Sequence, residues 1–347
     1  MKIMFQLIQQ QFSLLLVVFL LTIALSLILT PMANKLSLVD KPNERKNHQN
    51  VTPVIGGICI FLACGIASFV FGNIQGQDIR SLVVAASLFL CLGVLDDLFD
   101  FKASIKLVTQ VTFSFVFIVS TGLQISSIGY PFGLTNSFEL GFLSTPFTLL
   151  AVIGLTNAIN MIDGCDGLAA SLIALTLLAL LYFGSSHFVL AKQIVLLMLV
   201  TSVLTFLLFN FSNNPARKVF LGDGGSLFLG FIVSVFLVKF VEGNETYSPS
   251  VVLWFVAVPV YDFCAVVVRR LLLQRKIMSA DRSHIHHYLL SFGLSHFQTT
   301  VVVLLTAITL LCIGIFLEAN YPSLSQFTFI GLFMAYLLFR LLSFKRQ

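Results

Sequence analysis

Long apolar stretches alternate with short polar ones along the whole chain. The apolar runs fall at roughly 12–30, 54–72, 80–95, 105–122, 143–160, 167–183, 189–209, 221–240, 250–270, 299–317 and 325–342. A helix needs about 20 apolar residues to cross the hydrocarbon core of a bilayer. In lipid a helix satisfies its own backbone hydrogen bonds, whereas a β-barrel would show short segments of alternating polarity. The pattern predicts an all-α polytopic membrane protein with about 11 transmembrane helices, the third run being the short one. The first run is too long for a signal-peptide core, and no small-residue cleavage site follows it, so it is expected to stay as a helix. No long-period repeat interrupts the pattern, and residues 1–347 read as one domain.

Composition narrows the picture. Of 347 residues, 58% are hydrophobic and only 10% charged, against about 25% charged in an average soluble protein. That excludes an ordinary soluble enzyme and, by the opposite balance, a disordered chain. Phe accounts for 36 aromatic residues, against 7 Tyr and 1 Trp; Phe has nothing to hydrogen-bond and suits lipid. The cysteines (Cys59, Cys64, Cys91, Cys165, Cys264, Cys312) form no CxxC pair, which argues against a disulfide framework or a zinc site.

Charge placement gives an orientation. All 20 basic residues except Lys2, Arg80, Lys192 and Lys239 fall in one alternate set of connections: 31–53, 96–106, 210–220, 269–298 and the C-terminal end. By the positive-inside rule that set is cytoplasmic, with the N-terminus outside and the C-terminus inside. Asp96, Asp97, Asp100, Asp163, Asp166, Asp223 and Asp281 lie on the same side. The outer loop 123–142, with Gly129, Pro131 and Gly133, reads as a small hairpin without chemistry.

Five polar constellations stand at that face. Leu95-Asp96-Asp97-Leu98-Phe99-Asp100 puts adjacent carboxylates at a membrane boundary, where a divalent cation or a shared proton offsets their repulsion. Magnesium takes oxygen ligands, often one or two carboxylates plus substrate phosphates; the alternative is a solvated helix end. In the stretch from Asn157 to Leu168, Asn157 and Asn160 share a helix face, and Gly164 and Gly167 are expected to end that helix. Asp163 and Asp166 then sit in a tight turn. Turn preference alone accounts for the aspartates but not for two amides inside an apolar span.

Val219 to Ser226 reads Val-Phe-Leu-Gly-Asp-Gly-Gly-Ser and opens an apolar helix. A glycine-rich helix N-terminus favours anions, and Asp223 can hold a metal against a phosphate; equally, Asp is a common helix cap and Phe220 a packed aromatic. Asp281-Arg282-Ser283-His284-Ile285-His286-His287 follows the basic residues Arg269, Arg270, Arg275 and Lys276. Phosphate binding fits it better than a transition metal, since Arg pairs with phosphate oxygens. The positive-inside rule alone covers the Arg and Lys but not the histidines. The last is Asp40 to His48, leading to Thr52-Pro53-Val54-Ile55-Gly56-Gly57; its basic residues face either substrate phosphate or lipid headgroups. Asp262, deeper in its run, either lines a polar cleft or pairs with a neighbouring span.

In these motifs, in order and over nearly the whole chain, the sequence resembles the polyprenyl-phosphate N-acetylhexosamine-1-phosphate transferases, integral membrane enzymes. Within them it looks like the WecA type, which uses UDP-N-acetylglucosamine and undecaprenyl phosphate. The peptidoglycan branch carries a Gly-Thr-Pro-Thr-Met-Gly-Gly turn where this chain has Val-Thr-Pro-Val-Ile-Gly-Gly. The resemblance implies a single glycosyltransferase-4-type domain that releases UMP and forms a lipid-linked diphosphate sugar, the start of an O-antigen-like envelope polysaccharide. Another UDP-N-acetylhexosamine is the alternative donor. A transporter is the rival class, though transporters gather polar groups near the midplane.

The resemblance also implies roles. Asp96, Asp97 and Asp223 are the expected catalytic carboxylates. Asp223, Asn160 and Asp97 are expected to hold Mg2+, for which Mn2+ substitutes. Substrate contacts are expected from Asn157, Asp163, Asp166, Phe220, Arg269, Arg270, Arg282, His284, His286, His287, Lys106, Arg45 and His48, with Phe220 stacking on uracil. Whether Lys102 or Lys106 faces the lipid phosphate is open. The expected setting is a bacterial plasma (inner) membrane, with the active site at its cytoplasmic face. Membrane lipid is the expected surround, no nucleic-acid partner is expected, and a homodimer is left open.

Overall fold

The computed structural model describes residues 2–40, 51–72, 76–185, 188–242, 248–274 and 283–343. Its helices are α1 (Lys2–Gln10), α2 (Phe12–Lys35), α3 (Gly56–Phe71), α4 (Gln77–Phe99), α5 (Ala103–Thr121), α6 (Ser144–Ile162) and α7 (Leu168–Phe183). Then follow α8 (Leu190–Asn210), α9 (Gly222–Glu242), α10 (Val251–Phe255), α11 (Ala257–Leu272), α12 (Ile285–Ser291), α13 (His296–Asn320) and α14 (Pro322–Ser343). Two short strands, β1 (Val39–Asp40) and β2 (Thr52–Pro53), pair antiparallel with Val39 opposite Pro53.

Every apolar run carries a helix. Among the described residues, 8 helices are long and apolar enough to cross a membrane: α2, α4, α5, α6, α8, α9, α13 and α14. The architecture is that of a polytopic helical membrane protein. The remaining three of the eleven runs differ from simple spans for local reasons. Helices α3 and α7 are apolar but 16 residues each. The run at 250–270 is split, because Val256 (φ −127°, ψ 25°) leaves helical geometry between α10 and α11.

The third run, short by apolar count, is the core of a 23-residue helix. Helix α4 extends past the apolar run to include Asp96, Asp97, Leu98 and Phe99. It stops because Asp100 turns left-handed (φ +50°) and donates its N–H to the Asp96 carbonyl at 2.8 Å. The 123–142 loop is a hairpin, with Ser127 bridged to Glu139 and Phe138 N–H donated to Gly129 O at 2.8 Å.

Helix α9 is the axle of the bundle. It is apolar on every side and buried on nearly every side, as expected of a helix enclosed by other helices. Helices α3, α4, α6 and α7 pack around it. Phe231 stacks on Phe89 of α4 at 4.3 Å and meets Phe117 of α5 edge-on at 5.3 Å. Near the start of α9 the contact with α4 becomes too close for side chains. A Cβ on Gly93 would lie 2.3 Å from the Asp223 carbonyl oxygen, and one on Gly57 of α3 would lie 2.2 Å from Gly225 Cα. Small residues at these crossings let three backbones meet, and that sets the spacing of the polar groups at their ends.

Candidate active site

The ends of α4 and α6 and the starts of α5 and α9 converge. Asp97, in the last turn of α4, accepts the Asp223 N–H on Oδ1 at 3.1 Å and the Gly224 N–H on Oδ2 at 3.2 Å. These are orphan donors of the first turn of α9, and a carboxylate there is also favoured by the helix dipole. Gly222 makes the geometry possible: it adopts φ +76°, and a Cβ on it would lie 2.8 Å from Asp97 Oδ2. Asp96, beside Asp223, takes different partners and is 5% exposed. Its Oδ1 accepts the Phe101 N–H at 2.9 Å and its Oδ2 accepts Lys106 Nζ at 2.6 Å. Lys106 Nζ also lies 3.8 Å from Asp223 Oδ2. Lys106, not Lys102, is therefore the lysine at the carboxylates; Lys102 is the N-cap of α5.

Asn160, in the last turn of α6, donates Nδ2 to Asp223 Oδ1 at 3.0 Å and to Ser226 Oγ at 2.8 Å. Asn157, expected at the substrate, lies about one turn earlier on α6. Its Nδ2 donates to Gln110 Oε1 of α5 at 2.7 Å and to the Ile153 carbonyl at 2.8 Å, so it ties α6 to α5.

The turn after α6 forms as expected, with Asp163 ending the helix and Gly167 (φ +69°) opening α7. Asp163 is half-buried. Burial first, then the nearby charges of Asp97 and Asp166, push its carboxyl up to about 7. Asp166 is held by Lys218 Nζ at 2.5 Å from Oδ2, and its backbone carbonyl accepts Thr300 Oγ1 at 2.7 Å. The same Lys218 Nζ lies 5.7 Å from the centroid of the Phe220 ring. A lone lysine in a basic loop carries no sequence signal beyond the positive-inside rule, so the sequence alone does not mark Lys218 as a site residue.

Phe220 lies before α9, not within a helical turn of Asp223. Its N–H donates to Pro53 O at 2.8 Å, and its carbonyl accepts the Gly56 N–H at 3.0 Å. Gly57 N–H donates to Leu221 O at 3.0 Å. The Pro53–Gly57 turn thus serves as a backbone splint for the segment carrying Phe220.

The histidine motif reaches the same region from another direction. His286 is 1% exposed and its ring sits against Gly164, where a Cβ would come within 2.2 Å of Nε2. Burial, and the neighbouring His287 and His284, lower its pKa to about 3, so it is neutral at physiological pH. His287 packs on it with ring centroids 4.2 Å apart. His284 does not stand alone: Nδ1 lies 2.7 Å from Asp262 Oδ2. Arg269 and Arg270 close α11, Arg270 being buried. Arg45, His48 and Arg282 lie outside the described residues.

Among the described residues no three His, Cys, Asp or Glu side chains form a ready-made metal cage. The donor set nonetheless suits magnesium, which needs few protein oxygens when phosphates supply the rest. The Asp223 side chain is 38% exposed, against 2% for that of Asp96. An ionised carboxylate offers about four lone-pair sites, so Asp97 keeps acceptor capacity beyond its two N–H partners.

Membrane-length helices whose polar termini close on a carboxylate cluster define a multi-pass membrane protein with a polar site where those termini meet. The model of glycosyl transferase family 4 matches residues 79–241, from the start of α4 to the end of α9. A probable undecaprenyl-phosphate N-acetylglucosaminyl 1-phosphate transferase of Bacillus subtilis (strain 168) is 36% identical over 297 residues, 83% of this chain and 81% of that protein. Undecaprenyl-phosphate alpha-N-acetylglucosaminyl 1-phosphate transferases of Yersinia pestis and Escherichia coli (strain K12) are 33% and 35% identical. They cover 93% and 84% of this chain, and 88% and 79% of their own lengths. The chain belongs to glycosyl transferase family 4.

Proposed function

We propose that this protein transfers N-acetylglucosamine 1-phosphate from UDP-N-acetylglucosamine to undecaprenyl phosphate, releasing UMP. The observation that carries the reading is the convergence of Asp96, Asp97, Asp223, Asn160 and Lys106 where four helix termini meet. A lipid phosphate oxygen attacks the β-phosphorus of the donor; a new P–O bond forms there. The bond from that phosphorus to the bridging oxygen breaks, and its electron pair leaves on UMP. Both reactants are anions, so the site must offset charge as well as position them. Lys106 supplies a cation beside Asp96 and Asp223. Asp223 and Asn160, with Asp97 behind them, would hold Mg2+ or Mn2+, which when bound offsets negative charge on the donor diphosphate. Phe220 offers a flat face for the uracil, and Asp166, fixed by Lys218, an acceptor for its edge.

The uneven distribution of basic residues supports a cytoplasmic site in a bacterial plasma membrane, with the N-terminus outside and the C-terminus inside. The lipid then arrives laterally and the nucleotide sugar from the cytosol. The product begins a cell-envelope polysaccharide. The test is detergent-solubilised protein with undecaprenyl phosphate and a panel of UDP-sugars, read by UMP release and lipid mass spectrometry. The expected product carries one N-acetylhexosamine on a lipid diphosphate, with N-acetylglucosamine preferred. Absence of any lipid-linked product across the panel would overturn the proposal.

A further inference from the structure

Helix α14 runs on the flank of the bundle, and its buried residues are only Ser325, Leu337 and Arg340. A membrane anchor has no need of a buried arginine. Arg340 Nη2 donates to the Ser283 carbonyl, and its guanidinium carbon lies 5.5 Å from the Tyr288 ring and 5.8 Å from the Tyr336 ring. One turn earlier, Tyr336 OH donates to Asp262 Oδ1 at 2.9 Å. Asp262, on α11, is 2% exposed. Its Oδ1 also accepts the Ile285 N–H at 2.8 Å, and its Oδ2 faces His284 Nδ1 at 2.7 Å. The backbone on both sides of His284, and its ring, are therefore gripped by α11 and α14. None of these groups belongs to the carboxylate cluster of Asp96, Asp97 and Asp223.

The chemistry of the grip is directional. A carboxylate only accepts hydrogen bonds, so Nδ1 of His284 carries the hydrogen. That leaves Nε2 as the nitrogen available to a ligand. The His286 ring lies parallel to that of His284, with centroids 5.8 Å apart and planes within 5°. His286 in turn rests against Gly164, in the turn that carries Asp163 and Asp166. A continuous series of contacts thus runs from α14 through Asp262, His284 and His286 to the polar cleft.

We infer that Asp262, braced by Tyr336 and Arg340 of α14, is a positioning residue that fixes the ring orientation and tautomer of His284 for recognition of the nucleotide-sugar donor. The inference rests on the reading of the histidine segment as a donor-binding element. Orienting a ligand-binding histidine through its second nitrogen is a recurrent use of buried carboxylates. Helix α14 then acts as a strut for substrate recognition, remote from the reacting phosphates.

The test uses the full chain in detergent and measures KM for UDP-N-acetylglucosamine, KM for undecaprenyl phosphate, and kcat per folded molecule. Asp262→Asn keeps the shape but faces His284 with an amide that donates as well as accepts. It is expected to raise the donor KM about tenfold, leaving the acceptor KM within about twofold. Tyr336→Phe keeps the ring packing and removes one hydrogen bond. It is expected to raise the donor KM about threefold, again without moving the acceptor KM. His284→Ala sets the scale, with a rise at least as large as that of Asp262→Asn. An unchanged donor KM in His284→Ala would overturn the donor-binding reading and this inference with it. A raised KM in His284→Ala but not in either supporting variant would overturn this inference alone. Equal changes in both KM values would reduce Asp262 to a structural brace and overturn it as well. If Asp262→Asn fails to fold, Tyr336→Phe decides. Wild-type turnover in the same assay tests the reaction itself.

Discussion

Gly93→Ala is a one-methyl test of whether backbone proximity sets the carboxylate geometry. The added Cβ would lie 2.3 Å from Asp223 O, 2.4 Å from Asp223 C and 2.4 Å from Gly224 N, all backbone atoms. Ordinary contact begins near 3.4 Å, so α4 and α9 must part by about 1 Å. No flexible side chain can give way instead. Asp97 grips the same two residues through hydrogen bonds of 3.1 and 3.2 Å. Lengthened by about 1 Å, both leave hydrogen-bond range. Overpacking of this kind costs about 1–3 kcal/mol of stability. A misplacement of about 1 Å at reacting groups costs about a hundredfold in rate. Gly93→Ala should therefore lower transfer of labelled N-acetylglucosamine 1-phosphate about a hundredfold per folded molecule, with a fall of several degrees in Tm. Gly65→Ala is the control, since a Cβ there meets nothing within 4 Å, and it should keep full activity. A Gly93→Ala enzyme within threefold of wild type would refute the reasoning.

Three further outcomes follow from the same geometry. Asp223→Asn should lower kcat about a hundredfold or more while raising the donor KM less, and chelation should abolish transfer until Mg2+ or Mn2+ is restored; full activity in excess chelator would remove the metal. Phe220→Ala leaves the backbone bonds to Pro53 and Gly56 in place, so loss of a base stack worth about 1–3 kcal/mol should raise the donor KM roughly ten- to a hundredfold; an unchanged KM would leave Phe220 a packing residue. Asp163, ordinarily near 3.8 and here about 7, holds a proton in the folded state that the unfolded chain has lost between those values. Its contribution to stability therefore falls as pH rises through that window. Asp163→Asn should raise the Tm of the ligand-free protein at pH 8 and lose that advantage near pH 4; equal shifts at both pH values would count against it.

Much of the fold is visible in the sequence because lipid leaves a helix few alternatives. Each apolar run is helical, and glycine and aspartate mark the ends of α6 and α7. What pattern alone misses is where polar residues continue a helix. Asp96 and Asp97 look like the loop after a short span, yet they are its last turn, since the Asp100 cap lies beyond them. Phe220 and Asp223 are three apart and invite a helical reading, but the Phe220 N–H is taken by Pro53. The grouping of motifs was legible from their common side. The individual pairings were not, because each depends on side chains far apart in sequence: Lys218 with Asp166, Gln110 with Asn157, Asp262 with His284. Of the two readings open for Asp262, a pairing with neighbouring elements is the one found. An amide such as Asn157 reads the same whether it faces a ligand or a neighbouring helix.

The charges at the convergence point explain why one cluster can both hold together and remain receptive. Asp96, Asp97 and Asp223 bring three carboxylates together, and Lys106 is the ammonium that touches two of them. The first turn of α9 adds roughly half a positive charge, directed at Asp97. Protein cations and dipoles thus offset only about half of the negative charge present. These partners are divided: Asp96 has Lys106 and the Phe101 N–H, and Asp97 has two N–H groups of α9. Asp223 meets the Asn160 amide, a lysine at 3.8 Å and the neighbouring Asp96 carboxyl, and its side chain is 38% exposed. A diphosphate approaching this cluster would meet net repulsion unless a cation arrived with it. A divalent ion shared between Asp223 and the phosphates would remove that repulsion without disturbing the contacts that hold α4 to α9. The same contacts explain why an acidic pair can sit in the last turn of a membrane helix: Asp96 is held by Lys106 and the Phe101 N–H, and Asp97 by two N–H groups of α9.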